Sequence, residues 1–327
     1  MRRILLAPAL TLSGCASPGG VASGLAEALL LPEREIVTGL ARLDDTPQKS
    51  GAWLAFTSAP GSRTIVLRSE DGRKWERLSI LDRAGIVYGV RFVDADRGFV
   101  LHGATSGAVL FATADGGRSW SESMRMPGRY VRLAAEGEHL WILGSNGEGR
   151  ASALRTADGK EAREIAQFEG LAPALFADTA RFRDRRFFAG GSGGLGVLYV
   201  SEREGALRRV DVGEIPNLVS IAFDDAGHGL AVGARGEVLR TLDGGASWAP
   251  ALSGTDRDLA GVAFVRPGRA YVCGRDGMAL RTADSGAHFE RVELSRREDL
   301  FGLARVAGSP GVFALGGRGW IPFFGGE

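Results

Sequence analysis

Asp258 and Asp299 stand at corresponding points in consecutive repeats of this sequence. A pair of carboxylates about 5 to 10 Å apart is the arrangement that hydrolyses glycosidic bonds. The plainer alternative is that both are solvated loop carboxylates capping turns. Gly190-Gly191-Ser192-Gly193-Gly194 fits the nucleophile string G-x-S-x-G, and Gly191 to Gly196 fits the phosphate-cradling G-x-G-x-x-G. Both strings work only between a strand and a helix, whereas here they sit in one glycine-rich connection between strand-like runs and read as a hairpin. His102, His139, His228 and His288 are scattered over unlike positions without metal-ligand spacing, so no metal site and no cofactor is expected. Arginine is the side chain that recurs with a pattern. Arg63, Arg150, Arg235, Arg275 and Arg318 fall in the same connection of five repeats. The last three, in Ala234-Arg235-Gly236, Gly274-Arg275-Asp276 and Gly317-Arg318-Gly319, are expected at matching places, side by side. One reading is that arginine suits exposed hairpins and recurs because the repeats were copied; the other is that planar guanidiniums flanked by small residues engage carboxylates or phosphates bidentately, with an acidic segment of another protein as the expected target.

The elements that position these residues follow from the chain's self-similarity. A turn recurs as Ser69-Glu70-Asp71-Gly72 before Trp75, Thr113-Ala114-Asp115-Gly116-Gly117 before Trp120, and Thr241-Leu242-Asp243-Gly244-Gly245 before Trp248. Weaker copies are Thr156-Ala157-Asp158-Gly159 without its tryptophan, Thr282-Ala283-Asp284-Ser285-Gly286 ending in Phe289, and a degraded stretch from Ser201 to Gly205. In such a turn the aspartate accepts backbone N–H groups while glycine supplies the positive φ of a tight hairpin. Asp71, Asp115, Asp158, Asp243 and Asp284 are therefore structural. Before each turn lie three strand-like runs, as in Ser220 to Phe223, Gly229 to Val232 and Val238-Leu239-Arg240, and the aromatic opens a fourth.

Six four-stranded antiparallel units begin near Ile36, Ile86, Tyr130, Leu175, Leu218 and Leu259, and a seventh begins at Leu300 and ends one strand short. Each is too small to hide its apolar faces alone and must stack on its neighbours. The apolar segment Ala26 to Leu31 is expected to supply the missing strand, closing the ring and removing exposed edges. The fold class is all-β, a seven-bladed propeller with six blades as the alternative, and residues 26–327 form one domain. Connections between second and third strands then emerge on the face opposite the aspartate turns, beside the axial channel.

The pattern S/T-x-D-x-G-x-x-W resembles the Asp box, or BNR repeat, of sialidases, other glycosidases and non-enzymatic propellers. The longer phrase from Gly233 to Gly245 with Trp248 resembles the photosystem II stability/assembly factor-like propellers, a likeness running over roughly residues 36 to 324. That resemblance implies a propeller fold and suggests assembly of a membrane protein complex as the function. The sialidase signature Phe/Tyr-Arg-Ile-Pro is missing: the Ile-Pro pairs at 215–216 and 321–322 follow glutamate and tryptophan. A non-catalytic interaction scaffold is therefore preferred, with a sialidase-like or other glycoside hydrolase, or a carbohydrate-binding propeller, as the alternative.

Met1, Arg2 and Arg3 precede an apolar run from Ile4 to Leu12 that is too short to span a bilayer, and Leu12-Ser13-Gly14-Cys15 resembles a bacterial lipobox. Residues 1–14 read as a lipoprotein signal peptide and 15–25 as a linker behind a lipidated Cys15. By the same resemblance, Ala16 points to the outer membrane, facing the periplasm, with the inner membrane as the alternative. Cys273 lies in an apolar run and reads as a small buried hydrophobe. The net charge of +1 lacks the positive excess that phosphate backbones demand, so nucleic acid is not an expected partner. A monomer is expected.

Overall fold

The computed structural model describes residues 36–43, 52–58, 63–70, 75–104, 107–136, 139–167, 174–202, 207–294, 297–305, 312–316 and 319–323. Cys15 and the signal segment, the Ala26–Leu31 segment, Asp71 and Arg318 lie outside the described residues.

The described strands form seven antiparallel sheets, six of four strands and one of three, each running in simple chain order. They open at Ile36, Ile86, Gly128, Ala174, Leu218, Leu259 and Leu300, within two residues of the starts expected from the repeats. Successive first strands lie against one another, which makes them the innermost of each blade. The fold is a β-propeller, and the sheets are its blades, numbered here one to seven.

The core is divided among the gaps between blades, and an aromatic side chain anchors each of the gaps described next. In the gap between blades one and two, Trp120 packs with Leu54 and Phe56, its ring 5.8 Å from that of Phe56. Between blades four and five, Trp248 sits 6.0 Å from Phe187. Between blades five and six, the smaller Phe289 meets Leu230. The gap between blades three and four reverses the sizes. There the second strand contributes Trp141, and Leu207 stands where the other units have their aromatic. Complementary volumes keep each gap near native packing density without a fixed residue at either place.

The aspartate turns hold as hydrogen-bonded loops. The Thr113 hydroxyl donates to Asp115 Oδ1 at 2.8 Å and accepts the Gly117 N–H at 3.0 Å. The backbone N–H and hydroxyl of Ser119 donate to the two oxygens of Asp115 at 2.9 and 2.6 Å. Thr241 and Asp243 repeat this with Gly245 and Ser247, and Thr282 and Asp284 with Gly286 and His288. In blade three the loop is one residue shorter, so the N–H of Gly159 bonds to Thr156 and that of Lys160 to Asp158. Burial alone would push the Asp115 and Asp243 carboxyls up, but the side-chain and backbone donors of Ser119 and Ser247 hold both down to about 2.

One backbone feature bears directly on function. In every blade the register between first and second strands slips by one residue, at Thr38, Tyr88, Val131, Ala177, Val219, Ala260 and Phe301. A bulge bends its strand and re-aims the extra side chain. Here the bulges ring the axis near the face that carries the connections between second and third strands.

Candidate functional site: the axial cavity and its rim

On that face a cavity of about 370 Å³ opens on the axis. The bulged residues Ala177, Val219, Ala260 and Phe301 line it, giving a mainly apolar wall. Arg129, Asp258 and Arg275 stand among the polar groups of its lining. A concave, mostly apolar volume with a few charged groups is the usual form of a site for a small ligand or a chain end.

Asp258 and Asp299 lie on this rim, but their oxygens are engaged. Asp258 Oδ1 accepts the backbone N–H of Arg235 at 3.0 Å, and Asp299 Oδ1 accepts that of Asp276 at 2.9 Å. The Arg275 guanidinium stands between the two, 3.4 Å from Asp258 and 3.9 Å from Asp299. They tie each connecting turn to the next blade and share one cation.

The expected side-by-side arrangement of Arg235 and Arg275 is corrected by the backbone. Both connections are single 3₁₀ turns, Ala234–Gly236 and Arg275–Gly277. In the first the left-handed residue is Arg235, with φ 55°, and in the second it is Asp276, with φ 56°. Arg235 therefore matches Asp276, and Arg275 matches Ala234. Each arginine is the middle residue of its triplet in the sequence, but the turn is registered by the glycine that follows, Gly236 or Gly277, whose positive φ any side chain would strain. Arg235 projects from the exposed outer side of the rim, while Arg275 lines the cavity. Arg63, at the start of its strand, pairs with Asp82 at 2.7 Å and is 66% exposed, and Arg150 pairs with Glu148 at 3.3 Å. The structure brings Arg275 to the cavity together with an arginine that the repeat reading passed over, Arg129.

Arg129 was hidden because it sits at the start of a first strand. It stands two residues before the bulge at Val131, as Asp258 does before Ala260 and Asp299 before Phe301. The signal that finds it is the bulge, which only the strand register reveals.

A second feature unanticipated from the repeats lies just beneath the rim. Arg132 and Asp178, each one residue past a bulge, form an ion pair of 2.6 Å with side chains 4% and 2% exposed. Asp178 also accepts the Ser220 hydroxyl at 2.9 Å and the Ile221 N–H at 3.1 Å, and the Ser220 hydroxyl lies 3.4 Å from the Val262 N–H. This chain of contacts links the first strands of blades three to six. Arg91 is buried alongside, and burial together with the Arg132 charge pushes its guanidinium down from its ordinary range, opposed by Asp178.

The remaining candidates are structural in their surroundings. Ser192 ends a strand in a two-residue hairpin through Gly193 and Gly194, both at positive φ, and strand rather than helix follows. Cys273 is fully buried, and burial pushes its thiol far above its ordinary range. His102 is also buried, and burial and Arg83 push it down to about 4, whereas His228 and His288 lie 2.8 and 2.7 Å from the aspartates of their own turns.

Residues 199–302 match the family described as photosynthesis system II assembly factor YCF48. Comparison with curated protein sequences finds no match. Among solved structures, the chain is similar to YCF48 bound to D1 peptide, with a TM-score of 0.70 and 17% identity over 95% of this chain and 100% of that one. It is similar to YCF48 from Cyanidioschyzon merolae, with a TM-score of 0.67 and 14% identity over 91% and 98%. It also resembles virginiamycin B lyase from Staphylococcus aureus, with a TM-score of 0.64 and 10% identity over 86% and 93%. The same architecture thus carries both an assembly factor and a lyase, and the distinction rests on the site. By its repeat, its sheets and these likenesses, the chain is a β-propeller, similar in fold to YCF48 and matching that family's model over residues 199–302.

Proposed function

We propose that the chain is a non-catalytic interaction scaffold, an assembly factor that receives an acidic protein segment of a membrane complex in its axial cavity. The observation that carries this reading is the cavity itself, apolar within and flanked by the guanidiniums of Arg129 and Arg275. An apolar end group enters such a site while its carboxylates meet the arginines at the mouth. The solved YCF48 with a bound D1 peptide supports a peptide as the kind of ligand. A sugar would be served by aromatic faces on the rim, yet Trp120 and Trp248 pack in the gaps between blades, and among the described residues Phe301 is the one aromatic lining the cavity.

The test replaces Arg129 by aspartate, the residue that blades six and seven carry at the same strand position, so that folding is preserved while the charge is reversed. Affinity capture from solubilised native membranes, repeated at low and high salt, is expected to lose the partner with Arg129→Asp and to weaken with Arg275→Ala. Unchanged capture by a folded Arg129→Asp protein refutes the cavity as the docking site.

The reading includes an exported protein held to a membrane by lipid on Cys15 and facing the periplasm, supported by the lipobox-like string behind a short apolar run. Metabolic labelling with a fatty acid is expected to mark the wild type and not Cys15→Ser. Equal labelling of both refutes the anchor.

A further inference from the structure

The face that carries the aspartate turns has a groove of about 650 Å³ at the edge of blade three, lined among others by His139, Trp141, Arg155, Glu161 and Arg163. Its chemistry departs from that of the other repeats in one respect. An arginine precedes the turn in four blades, and its neighbour across the strands can be read from the register. Arg68 lies opposite Glu76, Arg240 opposite Ala249, and Arg281 opposite Glu290, to which it is ion-paired at 2.7 Å. In blade three Arg155 lies opposite Arg163. Like charges directly opposite in a sheet are destabilising, and each repeat of this kind elsewhere presents an acid or a neutral residue.

Two further observations point the same way. Arg155 and Arg186 both stand over the Trp141 ring, at 5.9 and 4.6 Å from its centre, and of the two Arg155 lines the groove. Stacking on a buried indole orients a guanidinium before any ligand arrives. Among the described residues Arg163 makes no ion pair, and Glu161 is the one acid lining the groove. The cross-strand spacing, about 5 Å, lets two guanidinium forks grip the oxygens of one tetrahedral anion, which presents more acceptors than a carboxylate does. The volume exceeds that of a bare ion and admits a small organic body behind it.

We propose that this groove binds the phosphoryl group of a small ligand between Arg155 and Arg163. The site lies on the face opposite the axial cavity and is independent of the peptide reading. It follows from the loss of the aromatic in the fourth repeat, where Leu207 leaves room that Trp141 enters from blade three, carrying the arginines with it.

The test is isothermal titration and thermal unfolding of the full chain with inorganic phosphate and, separately, glycerol phosphate. Saturable binding with a matching rise in Tm is expected, and tighter binding of glycerol phosphate would identify an organic phosphate as the fitting source. Arg163→Glu restores the cross-strand pairing of blade six, so it is expected to fold with unchanged or higher Tm in ligand-free buffer and to lose affinity by about tenfold or more. Arg163→Gln serves as the second variant and is expected to weaken binding without adding an acid. Two results overturn the proposal: no saturable binding at millimolar ligand, or an equal rise in Tm for wild type and Arg163→Glu, which marks the general stabilisation that phosphate gives by exclusion from protein surfaces.

Discussion

Replacing Asp178 by asparagine keeps the shape of the side chain and removes its charge. In the native protein its two oxygens take the Arg132 guanidinium at 2.6 Å, the Ser220 hydroxyl at 2.9 Å, and the N–H groups of Thr179 and Ile221 at 2.7 and 3.1 Å. An asparagine presents one oxygen to these donors, and its amide nitrogen turns a donor toward another donor. Arg132, 4% exposed, then loses the carboxylate charge it pairs with at 2.6 Å, while the Arg91 charge is close enough to act on it. Removing one partner of a buried pair costs about 3–5 kcal/mol, a large share of the 5–15 kcal/mol that holds a typical domain together. Urea unfolding followed by circular dichroism measures this as a fall in the midpoint at unchanged slope. The double variant Arg132→Met with Asp178→Asn removes the remaining cation and is expected to recover at least half the loss, which a double-mutant cycle reports as a coupling of about 2 kcal/mol or more. A loss below about 1 kcal/mol for Asp178→Asn, or strictly additive losses, refutes the claim that the pair is buried and mutually dependent.

Two further predictions concern the repeat. The folded-state pKa values of Asp115 and Asp243, about 2, lie below the unfolded value near 3.8, so their contribution is present above about pH 4 and fades as pH falls toward 2. The stability gap between wild type and Asp243→Ala is expected to be on the order of 1 kcal/mol at neutral pH, after allowance for solvent exposure, and to close near pH 2. A gap constant across that window contradicts a charge-based role. In the gaps between blades, Trp248→Leu is expected to cost about 2–3 kcal/mol by leaving a void beside Phe187 and Phe223, and adding Phe187→Trp is expected to restore part of it by copying the Trp141 and Leu207 pairing. A double variant less stable than Trp248→Leu alone shows that the gaps do not tolerate exchanged volumes.

The blades were legible because their signal is local and repeated. A threonine, an aspartate and a glycine at fixed offsets dictate a turn whose hydrogen bonds close within five residues, and the copies at Asp115, Asp243 and Asp284 close alike. Spacing the turns gave the strand starts because nothing between them is longer than a connection. The rim was only partly legible. Which connections reach the cavity's face follows from counting strand crossings, but which side chain enters the cavity depends on the register of single turns, and there Arg235 and Arg275 part company. Arg129, Arg132 and Asp178 were not legible at all. A charged residue inside an apolar run looks the same whether it faces solvent, a cavity or a partner one blade away, and Arg132 and Asp178 are separated by a whole repeat.

The bulges explain why function concentrates at one ring of positions. Because the slip recurs in all seven first strands, the mouth of the channel is shaped by backbone and is nearly independent of sequence. Charge is then set two residues before each bulge, where the chain carries Ile36, Ile86, Arg129, Leu175, Asn217, Asp258 and Asp299. Asp258 and Asp299 are held by the backbone of the preceding blade, whereas the Asn217 carbonyl accepts the Ala234 N–H of its own blade. The one cation of the ring, Arg129, faces the aspartates across blades four and five. A ligand bearing one negative group is therefore drawn to the side of blade three and repelled from blades six and seven, except where Arg275 intervenes. Such a field orients an asymmetric chain end in a cavity whose walls are otherwise apolar.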